Sequence, residues 1–349
     1  MPKQRTQFET SQERALSLLA AAPAVQLSGV DQVTGRPLVR TFSSVLVDGR
    51  LCFHGGDGGA KRALIGSPVV VSWHEVVAQV ASHWIHPELA CPASTYYRSV
   101  LAEGTTRVVE SRAQRARILT ALLERHQPEG GYLPLGDGEG RYRGVIDALL
   151  VVELEIDRIS GNEKLGQHRT GSEICGVLEG LWARGQPGDL AAMRAIFEAH
   201  PAHPRPAVLT GPCDTTLCVA PDAVDAQAAS ALLSGRYWTR SFSPDELSRA
   251  HLGSAAWIVA RSAGGEVVGS ARAVADGGRF AHIMDVVVAE PFQRRGLGKV
   301  LMQRLLDHPA LRGIRQVSLA TRDATSFYEP FGFIRHRLPD EIVPMRLSR

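Results

Sequence analysis

"PFQRRGLGKVLMQRLL", Pro291–Leu306, decides how the second half of this chain is read. Gly296 and Gly298 stand two apart, Arg294, Arg295 and Lys299 add positive charge, and an apolar run of helical spacing follows. Glycine lacks a Cβ, so ligand oxygens can approach its backbone closely. The first turn of a helix offers N–H groups with no intrahelical acceptor, at the positive end of the helix dipole. The stretch predicts a strand, then a loop that cradles a diphosphate, then a helix over Gly296–Leu306.

Two common phosphate loops do not match. The GxxxxGK[ST] pattern is absent. The dinucleotide fingerprint needs GxGxxG and an acidic residue about 20 residues on, whereas only one GxG stands here, late in a block that reads as antiparallel. The loop does match (Q/R)xxGx(G/A), at Gln293, Gly296 and Gly298. Downstream, "LATRDATSFYEPFGF" (Leu319–Phe333) spaces Ala324, Tyr328, Gly332 and Phe333 as a strand–helix–strand. Upstream, "GEVVGSARAV" contains Val267–Val274, which reads as a strand. In these three motifs, and over residues 207–347, the chain resembles the GNAT family of N-acetyltransferases.

That resemblance implies an α/β fold with a mixed central sheet, and acetyl-CoA as cosubstrate. The backbone of Val286, Val287 and Val288 would meet the pantetheine. Gln293, Arg294, Arg295, Gly296, Leu297, Gly298 and Lys299 would hold the pyrophosphate. Tyr328 would be the general acid for the departing thiolate, since its ordinary pKa near 10 suits that proton transfer. Asp285 or His282 would be the base, directly or through water. The acceptor pocket would come from residues 237–253, whose mixed charge does not choose a substrate. Thr321 stands where many members of the family have Asn, which puts one ligand contact in doubt.

The first half reads differently. Strand signals surround the turn at Val47-Asp48-Gly49, Glu103-Gly104 reads as a second hairpin turn, Pro68–Trp73 as a short apolar strand and Arg112–Arg125 as a helix. Many strands with few helices predict a small barrel. A strand ends in His54-Gly55-Gly56, and a glycine-rich loop leads to Lys61 and Arg62, a combination suited to one phosphate. "FHGG…GAK" (Phe53–Lys61) and "YRSV" (Tyr97–Val100) resemble the pyridoxamine 5'-phosphate oxidase-like split barrels, especially the nitroimidazole-resistance branch. The resemblance implies FMN near His54, Gly55, Lys61, Arg62, Arg98 and Ser99, in the groove of a homodimer. It also places Lys164, Gln167 and Arg169 near the cofactor. Haem on His54, His74, His83 or His86 is the alternative. An oxidoreductase or a ligand-sensing regulator would then compete with acetyl transfer as the main role.

The whole chain bounds these readings. Its 349 residues suit two domains. The expected division is a barrel over residues 9–170, a helical segment and linker over 171–206, and the acetyltransferase-like block over 207–349. A net charge of +3 is too small and too scattered to argue for nucleic acid. Five cysteines form no CxxC, which predicts reduced thiols, no metal site and a cytoplasmic protein. No run approaches the ~20 apolar residues of a membrane span; the GNAT resemblance implies an amine of a small molecule or peptide as the acceptor.

Overall fold

The computed structural model describes residues 6–56, 58 and 60–335. The chain divides into two units. One holds the described residues up to His83 together with Glu88–Arg169; the other holds Trp84–Pro87 and the described residues from Thr170 onward.

In the first unit α1 (Gln12–Ala21) is followed by β1 (Val25–Val30), β2 (Pro37–Phe42), β3 (Ser44–Val47), β4 (Arg50–Gly56), β5 (Pro68–Val80) and β6 (Ser94–Val108). Next come α2 (Arg112–His126), α3 (Arg143–Asp147) and β7 (Leu149–Lys164). The sheet order is β2-β1-β5-β6-β7-β4-β3, antiparallel throughout. This order puts β2 and β3 at opposite edges, yet only Ser43 lies between them in sequence. One residue cannot cross a flat seven-stranded sheet, because neighbouring strands lie about 4.8 Å apart. The sheet therefore curls until its edges meet. Leu19 and Ala15 of α1 pack with Leu27, Leu51, Phe53, Val71, Val100 and Leu154 as its core.

Two expectations change here. The hairpin at Glu103-Gly104 is instead the middle of the continuous strand β6, where the pairing with β7 slips by one residue. A Cβ on Gly104 would come within 1.9 Å of the Glu155 carbonyl oxygen. The glycine marks a bulge at a close backbone approach, not a turn. Likewise β5 continues to Val80 rather than stopping at Trp73.

In the second unit α4 (Gly171–Arg184) and α5 (Asp189–Glu198) precede β8 (Thr216–Cys218), α6 (Ala223–Leu233) and α7 (Pro244–Leu252). Then come β9 (Ala256–Arg261), β10 (Val267–Ala275), β11 (Phe280–Val288), α8 (Leu297–Leu306), β12 (Gln316–Leu319) and α9 (Thr325–Tyr328). The sheet order is β12-β11-β10-β9-β8, parallel only between β11 and β12. Helix starts follow local chemistry: Thr170 with Glu173, Asp222 with Asp225 and Ser243 with Glu246 form capping boxes. The end of the chain, where the sequence reads as a last hairpin, runs outside the described residues.

The segment His200–Pro206, which reads as a linker, is folded against α4. The Cys175 thiol donates to the Pro204 carbonyl (3.3 Å), and His200 stacks on His203. Gly176 and Gly180 of α4 form a slot filled by Trp84. A Cβ on Gly180 would lie 2.2 Å from the indole, and one on Gly176 2.2 Å from the Trp84 carbonyl oxygen. Arg184, one turn further on, covers the ring at 4.8 Å. Glycine inside a helix costs about 0.5–1 kcal/mol, and the packing of the half-buried indole offsets it.

Candidate functional site

In the second unit the main cavity opens where two strands part. β11 and β12 pair from Phe280↔Gln316 to Ile283↔Leu319, and no further. Beyond that point β11 bulges: Ser270 of β10 faces Val287 while Arg272 faces Met284. Asp285, inside the bulge, has φ 52°, a left-handed conformation that Asp tolerates better than most residues. The resulting cavity of about 880 Å³ is lined by Met284, Asp285 and Val286 on one side and by Leu319–Ala324 on the other. Tyr328, His282 and the segment from Tyr237 to Arg249 complete it.

The glycine loop forms as expected. Arg294 (φ 58°) and Gly296 (φ 86°) turn the chain into α8. Space around a Gly296 Cβ is open, whereas one on Gly298 would touch the Phe327 ring at 3.4 Å. Gln293 donates its side-chain N–H to the Val288 carbonyl (2.9 Å), fastening the loop to the end of β11. Leu297 is buried and anchors the helix; Arg294, Arg295 and Lys299 are exposed. Val287 points into the core and is paired with Ser270, while Val286 and Val288 are half-buried. Tyr328 packs edge-on against Phe327. Burial raises its hydroxyl pKa above the ordinary value, and the nearby Tyr237 adds to that.

Asp285 sits in the cavity floor but is not a free base. Arg272 Nε donates to one carboxylate oxygen at 2.6 Å and Trp238 Nε1 to the other at 3.1 Å. Both ends of the Arg272–Asp285 pair are nearly inaccessible to solvent. Each oxygen already accepts a charge-assisted or indole bond, which fits a positioning role better than proton abstraction. His282 lines the same cavity, with Nδ1 2.9 Å from the Ser318 hydroxyl. Sequence reasoning passed over Arg272 and Trp238. The available signal was a lone arginine in the apolar strand Val267–Ala275, which demands a buried partner. His251, in the acceptor stretch, is buried instead, its Nδ1 2.7 Å from the Leu247 carbonyl.

In the first unit the expected residues do not converge. His54 and Gly55 lie on β4 opposite Val151 and Leu150 of β7. Arg98 and Ser99 lie on β6 opposite Glu163 and Asn162. From Val151 to Glu163 is twelve residues, about 40 Å along the strand. Arg98 is also committed: its Nε donates to Glu163 (2.8 Å), which Arg14 also grips, and it pairs with Glu75 at 3.4 Å. Those two arginines hold the Glu163 carboxyl below the usual range, against the effect of burial. Arg62 is exposed, and the side chain of Lys61 lies outside the described residues. Lys164 donates to the Ser94 hydroxyl (2.6 Å), Gln167 to the Glu163 carbonyl (2.6 Å), and Arg169 to the Pro92 carbonyl (3.3 Å). Among the described residues no three His, Cys, Asp or Glu gather as for a metal ion, and no helix is long and apolar enough to cross a membrane.

Comparison with known proteins agrees with this division. The model of the Acetyltransferase (GNAT) family matches residues 226–333, and that of Pyridoxamine 5'-phosphate oxidase matches residues 11–163. The chain joins a pyridoxamine 5'-phosphate oxidase-like domain to a GNAT acetyltransferase domain. The GNAT domain is similar to "Uncharacterized N-acetyltransferase ycf52" of Pyropia yezoensis, 39% identical over 25% of this chain and 50% of that protein. It is also similar to "GCN5-related N-acetyltransferase 1, chloroplastic" of Arabidopsis thaliana, 41% identical over 24% of this chain and 41% of that protein. The chain thus spans half or less of these curated relatives. Among solved structures, the FAD and heme binding protein from Mycobacterium smegmatis is 27% identical. That match covers 44% of this chain and 72% of the other, with a TM-score of 0.38.

Proposed function

We propose that the GNAT domain moves acetyl from acetyl-CoA directly to an amine. One observation carries the reading: β11 and β12 part after Ile283↔Leu319 over the cavity that Tyr328 lines. Strand groups released from pairing there are available to a pantetheine amide, as unpaired backbone N–H and C=O groups require partners. The loop from Gln293 to Lys299, with its arginines and the start of α8, supplies charge and N–H groups for the diphosphate. The amine, deprotonated with help from His282, attacks the thioester carbonyl. The C–S bond then breaks, and the thiolate takes the Tyr328 proton. Replacing Tyr328 with Phe keeps the ring and removes that proton. The expected result is a fall in turnover of about a hundredfold or more with CoA affinity retained, measured by thiol release and calorimetry. Unchanged turnover would remove Tyr328 from the acid role.

For the barrel, the family match favours a flavin such as FMN, but the predicted residues of one chain do not form one site. Arg98 faces carboxylates, and His54 on β4 pairs with Val151, far along β7 from the Glu163 that Arg98 faces. The reading requires a homodimer, in which the two ends come from different copies, and no chemical step is derived through the cofactor. A purified protein that is dimeric with absorption near 450 nm supports it; a colourless monomer ends it, and a Soret band points to haem.

A further inference from the structure

Tyr237 and Trp238 are adjacent in sequence but hold opposite sides of the split. Trp238 Nε1 donates to Asp285, the left-handed residue of the β11 bulge, at 3.1 Å. The Tyr237 ring lies 4.1 Å beneath the Arg322 guanidinium, just past the end of β12. Its hydroxyl also accepts the Arg322 backbone N–H, at 3.3 Å. The two rings brace one another edge-to-face, with centroids 4.8 Å apart. On the far side Asp285 is fixed by Arg272, whose other nitrogen reaches the Ala250 carbonyl and the Ser254 hydroxyl at 3.4 Å.

Both aromatics are more than a third exposed. An aromatic dipeptide that is exposed yet makes three directed polar or cation–π contacts is placed by those contacts rather than by burial. The two strand ends it touches share no ladder bonds of their own past Ile283↔Leu319. Something else must fix their separation.

We propose that Tyr237-Trp238 is a strut across the mouth of the β11–β12 split. It sets the width into which acyl-CoA enters and ties that width to the acceptor-side segment. Both are positioning residues, since they act through Asp285 and Arg322. The proposal rests on the reading that this split receives CoA.

The test uses the full chain with CoA as probe. Trp238→Phe keeps a ring and removes the indole N–H; Tyr237→Ala removes the ring under Arg322. Each is expected to weaken CoA binding about tenfold by calorimetry, with the melting temperature nearly unchanged. If the two act as one strut, the double variant binds no worse than the weaker single variant. A second readout is spectroscopic: CoA should shift the tryptophan emission of the parent protein, and the shift should vanish in Trp238→Phe while weakened binding persists. Parental affinity in Trp238→Phe, an emission shift that survives it, or losses that simply multiply would overturn the strut while leaving CoA binding intact. Failure of the parent protein to bind CoA would overturn the acetyltransferase reading and the strut together.

Discussion

The two halves of the chain carry glycine-rich loops of similar appearance, yet the residues expected around them come together to different degrees. In the GNAT domain the parting strands β11 and β12 and Tyr328 of α9 line one cavity, and Gln293 fastens the glycine loop to the end of β11. In the barrel, His54 and Arg98 belong to strands on either side of β7, and the long ladder carries them apart. A site built from consecutive elements is assembled by local connection. A site spread along a long strand depends on register and curvature.

That contrast is open to attack. The largest effect is expected from Arg272→Met, which leaves Asp285 charged, buried and without its ion partner. The loss is about 3–5 kcal/mol of stability, read by denaturant unfolding; a near-neutral result would show that the bulge holds without the pair. Next is Tyr328→Phe, described above, with a pH dependence attached. The acid must be protonated, and burial raises its pKa. The alkaline decline in turnover should therefore lie above the ordinary tyrosine value of about 10 and disappear in the variant. A decline centred near neutrality that persists in Tyr328→Phe would assign it to another group.

Smaller effects are expected in the barrel. Gly104→Ala forces a methyl against the Glu155 carbonyl oxygen, and overpacking of this kind costs about 1–3 kcal/mol; an unchanged melting temperature would show that β7 yields freely. Arg98→Ala should be the mildest, about 1 kcal/mol or less, because its ion pairs are partly solvated. If Arg98 serves the cofactor of a neighbouring copy, the variant will instead lose its 450 nm absorption, and the two halves will be more alike than one chain makes them.

Much of the GNAT domain is legible because its signals are short-range. The turn into α8 is read from Gly296, one residue before the helix starts. The bulge at Glu103-Gly104 was not, because a glycine in a β run has the same local signature whether it turns the chain or admits a neighbouring carbonyl. Only the partner strand distinguishes the two cases. Asp285 is a similar case: its position is visible in sequence, but the residues that occupy its oxygens, Arg272 and Trp238, come from elements 13 and 47 residues away.

The slot in α4 has a consequence for modularity. Trp84 lies between β5 and β6 of the barrel in sequence, yet it completes the fold of the other unit. The boundary between the domains is thus not a single point on the chain. A fragment beginning at Thr170 would leave a helix notched by Gly176 and Gly180, with nothing to fill the notch. An exchange of either domain for a homologue must therefore carry Trp84 and its paired glycines together.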